Sequence, residues 1–266
     1  LLTNTTGASN VSLGVEALKE NTTASNNTAV GFNALKVNTT GASNTAVGSL
    51  ALDAVTTGTD NTAVGHGALT ANTADANVAV GHRALEANTT GTQNTALGQR
   101  AGYQVTTGQY NSLHGWNAGG SITTGSNNTA LGNRALDAST TADNNTAVGY
   151  SALSSACDAG NTAVGGLALF TNTAANNTAV GYNAMYANTT GTRNTAVGVN
   201  ALDSVTTGGN NVALGYNAGA SYATGGQSIF IGRDTGGAGG SGVIAIGFFA
   251  CNQTTADNTM GIGYNA

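Results

Sequence analysis

Apolar and polar positions follow one short pattern that recurs along the whole chain. The string Asn-Thr-Ala-Val-Gly, or a close variant of it, returns every 15 to 17 residues and ends on a glycine that sets the register. Sixteen units are indexed by Gly14, Gly31, Gly48, Gly65, Gly81, Gly98, Gly115, Gly132, Gly149, Gly165, Gly181, Gly198, Gly215, Gly232, Gly247 and Gly263. Such a regular period indicates one structural coil per unit rather than a string of globular domains.

Three positions before each glycine carry the hydrophobic alternation. Val or Leu stands one residue before most of the glycines, as at Val30, and Thr, Val or Ile stands three before, as at Thr28. On a strand these two columns face one side, which we interpret as the interior of the coil. The Ala between them then faces outward, and its constancy predicts close packing against a second surface. Candidate subunit-interface residues are therefore Ala29, Ala46, Ala63, Ala79, Ala96, Ala130, Ala147, Ala163, Ala179, Ala196 and Ala213.

Other columns predict how each coil closes. Asn lies four residues before the glycine in thirteen of the sixteen units, where it favours a turn and can stack into an amide ladder. Leu lies four residues after the glycine in most units and is expected to form the second core wall. Four units carry Gly at this position, and we expect nearby larger side chains to fill the space: Gly102, Gly119, Gly219 and Gly236 are the glycines, and Tyr103, Val105, Ile122 and Tyr222 the fillers.

The coil length decides the fold class. Segments such as Thr39–Gly41 follow the Leu column and predict a second short strand that ends in a turn. The abundance of Gly, Thr and Asn and the short windows disfavour helices. The sequence predicts an all-β fold, a parallel β-solenoid or β-roll of about sixteen coils. It forms a single continuous array over residues 1–266, regular over 10–219 and more irregular over 220–266.

Composition supports this interpretation and narrows the function. The 266 residues weigh 25.9 kDa and include 40 Gly and no Pro, with 7% charged residues and a net charge of −5. Too few large apolar side chains are present for a conventional core, and the absence of Pro excludes collagen. We expect no nucleic-acid partner, because no basic stripe occurs, and no membrane insertion, because no apolar run approaches about 18 residues. The chain begins at Leu1 without an initiator Met, which predicts a fragment or a mature segment.

Units of the form Asn-Thr-Ala-Val-Gly-x-x-Ala-Leu resemble the head repeats of trimeric autotransporter adhesins and similar phage tail-fibre-like or surface fibre proteins. The resemblance covers essentially the whole chain and is strongest over 27–215. It implies a left-handed β-roll, three chains packed about a common axis as a homotrimer, and an adhesive or structural role. The units here are longer than typical head repeats, and Thr often replaces an aliphatic residue that the interpretation above places inside the coil.

Few residues suggest chemistry. Cys157 and Cys251 lie six coils apart, too far for a disulfide, so we predict two free thiols. His66 and His82 follow the glycines of consecutive units and should stack, but a metal site needs further ligands. We expect His114 to be a packing variant rather than a catalytic base. The sequence predicts no catalytic residues, no cofactor and no metal site, and so no enzyme.

Two surface features leave alternatives open. The position after the glycine carries aromatic residues and His, which could stack on sugars or on packing partners: Phe32, His66, His82, Trp116, Tyr150, Tyr182, Tyr216 and Phe248. Asn-x-Ser/Thr triplets mark candidate glycan acceptors, although an Asn- and Thr-rich repeat also generates them by chance: Asn4, Asn10, Asn21, Asn26, Asn38, Asn88, Asn127, Asn144, Asn176, Asn188 and Asn252. A broad Thr surface suited to ice is not expected, because only one residue of each Thr-Thr pair should face water.

The sequence thus predicts a structural rod of an extracellular fibre or filament, with an adhesive surface as a further expectation. It should lie outside the cell or on a cell or virion surface and associate with itself, as a homotrimer, end to end, or both, and contact glycans or a host surface. The alternative is a discrete solenoid module that binds a glycan or ice.

Overall fold

The computed structural model describes residues 2–237, 239–252 and 255–266. Within these ranges the regular elements are strands of three residues each, and no helix occurs. The chain divides into two compact units, residues 1–133 with 140–142 and residues 134–139 with 143–266. The predicted all-β parallel β-solenoid is confirmed, and the two units together contain about 15 turns.

Each unit contains eight strands that pair in chain order. The first unit has β1 (Val11–Leu13), β2 (Thr28–Val30), β3 (Thr45–Val47), β4 (Thr62–Val64), β5 (Val78–Val80), β6 (Thr95–Leu97), β7 (Ser112–His114) and β8 (Thr129–Leu131). The second unit has β9 (Thr146–Val148), β10 (Thr162–Val164), β11 (Thr178–Val180), β12 (Thr195–Val197), β13 (Val212–Leu214), β14 (Ile229–Ile231), β15 (Ile244–Ile246) and β16 (Met260–Ile262).

Neighbouring strands are parallel and in the register of the repeat. Thr28 pairs with Thr45, Ala29 with Ala46, and the same columns remain aligned in the pairs that follow. Equivalent residues of successive coils therefore lie one strand spacing apart, about 4.8 Å.

The two faces of the strand are the reverse of the sequence prediction. Ala29 is fully buried, whereas Thr28 and Val30 on either side of it are only half-buried. The Leu from the opposite wall, such as Leu35, is also fully buried. The Leu side chain fills most of the interior of the thin coil, so only the methyl group of an Ala fits on the strand opposite it. The candidate interface residues all belong to this buried column and have no surface to offer a second chain: Ala29, Ala46, Ala63, Ala79, Ala96, Ala130, Ala147, Ala163, Ala179, Ala196 and Ala213.

Exceptions to the Ala column show how the two walls fit together. Leu113 replaces Ala in β7, and the Leu position becomes Gly at Gly102 and Gly119, the two sites that face it. A Cβ added at Gly102 would lie 2.8 Å from Leu113, and one at Gly119 would lie 2.7 Å from it. Phe230 in β14 has the same relation to Gly219 and Gly236. A large side chain from one wall therefore requires glycine on the other.

Three of the four predicted fillers are buried beside these glycines. Val105, Ile122 and Tyr222 are buried, as expected, and the Tyr222 ring packs edge-on against Phe230 at 4.8 Å between centroids. Tyr103 is an exception, because its hydroxyl accepts a hydrogen bond from Arg83 on the outside of the coil. The sequence prediction for Tyr103 is therefore wrong.

Left-handed backbone closes each coil. In the second coil Asn26, Asn33 and Leu35 have φ values of 62°, 58° and 50°. A left-handed Leu costs roughly 1–2 kcal/mol, and its buried side chain offsets that cost. The chain bends at Thr39 and Thr40, and Gly41 has no regular structure, so the predicted second strand is absent there.

The predicted amide ladder is confirmed. The Oδ1 of Asn94 accepts a hydrogen bond from the backbone N–H of Asn111 at 3.0 Å, and its Nδ2 donates to the Gly108 carbonyl at 2.8 Å. The same pair of bonds recurs at Asn27, Asn44 and their successors. The ladder satisfies buried backbone groups that no strand reaches.

Candidate functional site

Charged side chains form scattered pairs on the surface of the coils. Glu16 contacts Lys19 at 2.8 Å and Lys36 at 2.7 Å, and hydrogen bonds from these two ammonium groups lower the pKa of the Glu16 carboxyl to about 2. Arg134 contacts Asp137 at 2.7 Å, which raises the pKa of the guanidinium. These groups neutralise each other, and Asp137 also accepts a hydrogen bond from the Ser154 hydroxyl at 2.5 Å.

The three histidines occupy their positions in the repeat. His114 lies on the outer strand face, because its column faces away from the core. The His66 and His82 rings stack with centroids 5.4 Å apart, as predicted, and both are exposed. The Nε2 of His114 is buried without a hydrogen-bond partner. Among the residues that the structure describes, no three His, Cys, Asp or Glu side chains lie close enough to hold a metal ion.

Both cysteines are buried free thiols, as predicted. Burial raises the pKa of the Cys157 thiol to about 11, and it also raises the pKa of Cys251. Cys251 takes the Leu position of its coil, with the same left-handed backbone, at φ 51°. A depression of about 490 Å³ lies beside it, lined by Phe249, Met260 and other residues of the last coils. A protonated thiol is a weak nucleophile, so neither cysteine is poised for covalent chemistry.

The candidate glycan acceptors divide by exposure. A second column of Asn side chains, seven residues after the strand glycine, is buried as well, and in it Asn38 donates to the Oδ1 of Asn21 at 3.3 Å. Four candidate acceptors belong to this column and are inaccessible in the folded chain: Asn21, Asn38, Asn88 and Asn188. Asn4 and Asn10 are half-buried. The exposed acceptors are Asn26, Asn127, Asn144, Asn176 and Asn252. The other two residues of the Asn252 triplet, 253 and 254, lie outside the described residues.

The outer face of the strands is the most unusual surface of each unit. Its two columns carry Thr, Val, Leu and Ile, as in Thr178 and Val180, apart from Ser112, His114 and Met260. They contain no Asp, Glu, Lys or Arg in any of the sixteen strands. In the second unit Val197 and Leu214 are each 39% exposed on this face. Sequence analysis missed this surface because it assigned the same columns to the interior.

The Thr-Thr pairs also differ from expectation. Thr39 is half-buried and Thr40 is exposed, so neither side chain lies in the core. The reason is that this segment bends and does not alternate like a strand. The hydroxyl of Thr39 donates to the carbonyl of Thr56 in the next coil, at 3.1 Å. In that next coil both members of the pair, Thr56 and Thr57, are exposed.

The position after the glycine forms a column of exposed rings. Trp116, Tyr150, Tyr182 and Tyr216 are exposed, as are Phe32 and the two stacked histidines, whereas Phe248 is half-buried. Near the end of the second unit the guanidinium of Arg233 lies over the Tyr216 ring at 5.6 Å and the Phe248 ring at 5.5 Å. Exposed aromatic rings in a regular column are suited to stacking against a flat ligand.

The fold and this surface define a parallel β-solenoid with an uncharged strand face and an aromatic column. No family model, curated protein or solved structure matches the chain. Within the described residues, no helix is long and apolar enough to span a membrane.

Proposed function

We propose that this chain is a structural rod segment of an extracellular fibre, exposed on a cell or virion surface, in which copies of the chain pack together through the outer strand face. The observation that carries the proposal is the partly exposed Thr/Val face, which carries no Asp, Glu, Lys or Arg. An apolar patch of this kind typically marks a protein–protein contact. A flat sheet face that faced water throughout would normally carry charged side chains against aggregation.

The geometry of the face suits contact between identical copies. Its residues repeat at one strand spacing, so two or three parallel copies can meet with equivalent coils at the same height. The resemblance to adhesin head repeats favours three copies about one axis. No step of this role requires catalysis, a metal or a cofactor.

Electron microscopy of the purified chain tests this role. The wild type should form multi-chain rods, and the double variant Val164→Lys/Val180→Lys should give single thin particles, because two ammonium groups cannot be buried between copies. Thr190→Lys is the matched control, since Thr190 is exposed in a turn away from the strands. Single thin particles from the wild type, or rods from the double variant, would contradict the proposal.

A second role is favoured by the aromatic column. Exposed rings at Tyr150, Tyr182 and Tyr216 are available on the surface of the second unit, and aromatic faces stack on the C–H faces of sugars. We therefore add glycan binding as a candidate adhesive function of the same rod.

A further inference from the structure

Three tyrosines of the second unit are spaced by two coils. Tyr150, Tyr182 and Tyr216 occupy the position after the glycine and are 58%, 53% and 48% exposed. The coils between them carry Gly166 and Val199 at the same position. Three tyrosines therefore alternate with two smaller residues along one column.

Backbone hydrogen bonds hold this column in register. The N–H of Leu167 donates to the carbonyl of Tyr150 at 2.9 Å, and the N–H of Asn200 donates to the carbonyl of Tyr182 at 3.0 Å. Equivalent bonds bind the intervening coils, so each step along the column is one strand spacing. Successive tyrosines are then about 9.5 Å apart, twice the strand spacing.

The small residues leave room for the rings. A Cβ built at Gly166 would lie 3.5 Å from the Tyr182 ring, so that ring lies against the glycine rather than against another large side chain. An aromatic residue at this site would instead stack on the ring, as His66 and His82 do in consecutive coils of the same column. The alternation of Tyr with Gly or Val thus leaves each tyrosine without an aromatic neighbour in the next coil, and about half of each side chain is exposed to solvent.

Polar side chains run beside the rings. Asn200 donates to the Oδ1 of Asn217 at 3.1 Å, and Asn217 donates to Asp234 at 2.8 Å. These residues are half-buried at the next position of each coil. This row lies beside Val199, Tyr216 and Arg233 in the sequence of the coils, and its amide groups suit the hydroxyl groups of a sugar bound at that end of the column.

We propose that this column binds an extended β-1,4-linked polysaccharide, a glucan or its N-acetylated amino-sugar counterpart. In such a chain each sugar is turned over relative to the last, so the structure repeats every disaccharide, at a length close to the two-coil spacing. Every second sugar then stacks on a tyrosine, and the amide row binds the hydroxyl groups at the edge. The proposal names a ligand for the adhesive surface and rests on the proposed function in that respect.

Titration calorimetry with soluble oligosaccharides tests it. Cellohexaose and chitohexaose distinguish the two sources of the ligand, and isomaltohexaose, an α-linked chain of different repeat, is the negative control. Binding to one or both β-1,4 hexamers and not to isomaltohexaose is the expected result. Binding to neither β-1,4 hexamer, or equal binding to all three sugars, would overturn the proposal.

Variants locate the site. Tyr182→Ala should weaken binding about tenfold or more, the factor that corresponds to one lost aromatic contact. Tyr186→Ala should leave it unchanged, because Tyr186 stacks on Phe170 outside the column. The exchange variant Tyr182→Val/Val199→Tyr keeps the composition but breaks the two-coil spacing, and it should also lose binding. Unchanged binding in the exchange variant, or equal losses for Tyr182→Ala and Tyr186→Ala, would refute the spacing argument.

The mass of the assembly separates this proposal from the structural one. Tyr182→Ala should bind sugar weakly and yet keep the wild-type mass in light scattering. If it instead dissociates the assembly, the ring is a subunit contact and the glycan proposal fails. If the wild-type chain binds sugar as a single copy, the glycan proposal stands and the packing proposal fails.

Discussion

Exchange of large and small side chains between the two walls of a coil gives the sharpest test of the packing. Leu113 occupies the Ala column, and its methyl groups fill the space that Gly102 and Gly119 leave. Leu113→Ala removes three carbon atoms from a fully buried site and should cost about 3–5 kcal/mol, the transfer free energy plus that of the residual cavity. Gly102→Leu alone should also destabilise, because its Cβ would lie 2.8 Å from the side-chain ends of both Leu113 and Leu85, and the Leu85 side chain must shift in either variant.

The double variant Leu113→Ala/Gly102→Leu should recover much of this loss. Leu52 and Leu202 adopt φ values of 51° and 50° at the equivalent position, close to the 60° of Gly102. Each of them packs in one coil with a buried Val, Val55 and Val205, just as the introduced leucine would pack with Val105. The two substitutions should therefore couple favourably by about 2 kcal/mol or more.

Native-state hydrogen exchange at the surrounding amides measures this coupling coil by coil, which avoids assuming a two-state transition for a repeat array. The N–H of Gly115, bonded to the Leu97 carbonyl at 2.8 Å, reports on the affected coil. If the double variant loses as much protection as the two single variants combined, Leu113 and Gly102 do not compensate each other and the packing argument is wrong.

Three further predictions follow from single contacts. Gly181→Ala should reduce the hydrogen-exchange protection of its coil, because Gly181 has φ 138° and a Cβ there would overlap the Gly198 carbonyl oxygen. The control Gly239→Ala should leave the protection unchanged, because no atom lies within 4 Å of a Cβ at that position. Asn94→Leu should cost about 3 kcal/mol or more in local opening free energy, since two buried backbone groups lose their partners at about 1–3 kcal/mol each; a cost near zero would contradict the ladder. In a Cys251→Ser background, Cys157 should react with a thiol reagent at pH 8 about a hundredfold more slowly when the chain is folded than when it is unfolded. Burial raises the pKa of Cys157 from 9.0 to about 11, so the reactive thiolate forms only as the pH rises towards that value. Equal rates in the two states would show that the thiol is not protected.

The repeat register was predictable from sequence because glycine marks every coil. The spacing of glycines such as Gly31 and Gly48 locates the strands, the Asn ladder and the Leu wall in the positions where the structure has them. The three strand residues before each glycine were also correctly placed. These features depend only on period and residue type.

The direction of the strand faces was not predictable from alternation alone. Parity shows that Thr28 and Val30 share a face, but it does not show which face is the interior. Hydrophobicity favoured Val inside, whereas the thin coil admits only the methyl group of Ala29 opposite Leu35. The exchange of Leu113 with Gly102 and Gly119, readable in the sequence, was the signal that the Ala and Leu columns meet inside the coil.

The candidate surfaces changed with that reversal. The Ala column is in the core and the Thr/Val columns are outside, so the proposed contact between copies is assigned to the face that carries Thr178 and Val180. The left-handed backbone of Leu35 could not be anticipated either, because an isolated Leu avoids that conformation and only burial of its side chain stabilises it there. The exposure of Tyr150 and Tyr182, by contrast, follows directly from the repeat.

The mass of the chain in solution by light scattering tests packing through the outer strand face most directly. If copies pack through this face, the wild-type mass should be at least twice the 25.9 kDa of one chain, and three times that mass for the expected trimer. The double variant Val164→Lys/Val180→Lys should have the mass of a single chain. A wild-type mass of 25.9 kDa at all concentrations, or an unchanged multiple in the double variant, would contradict it.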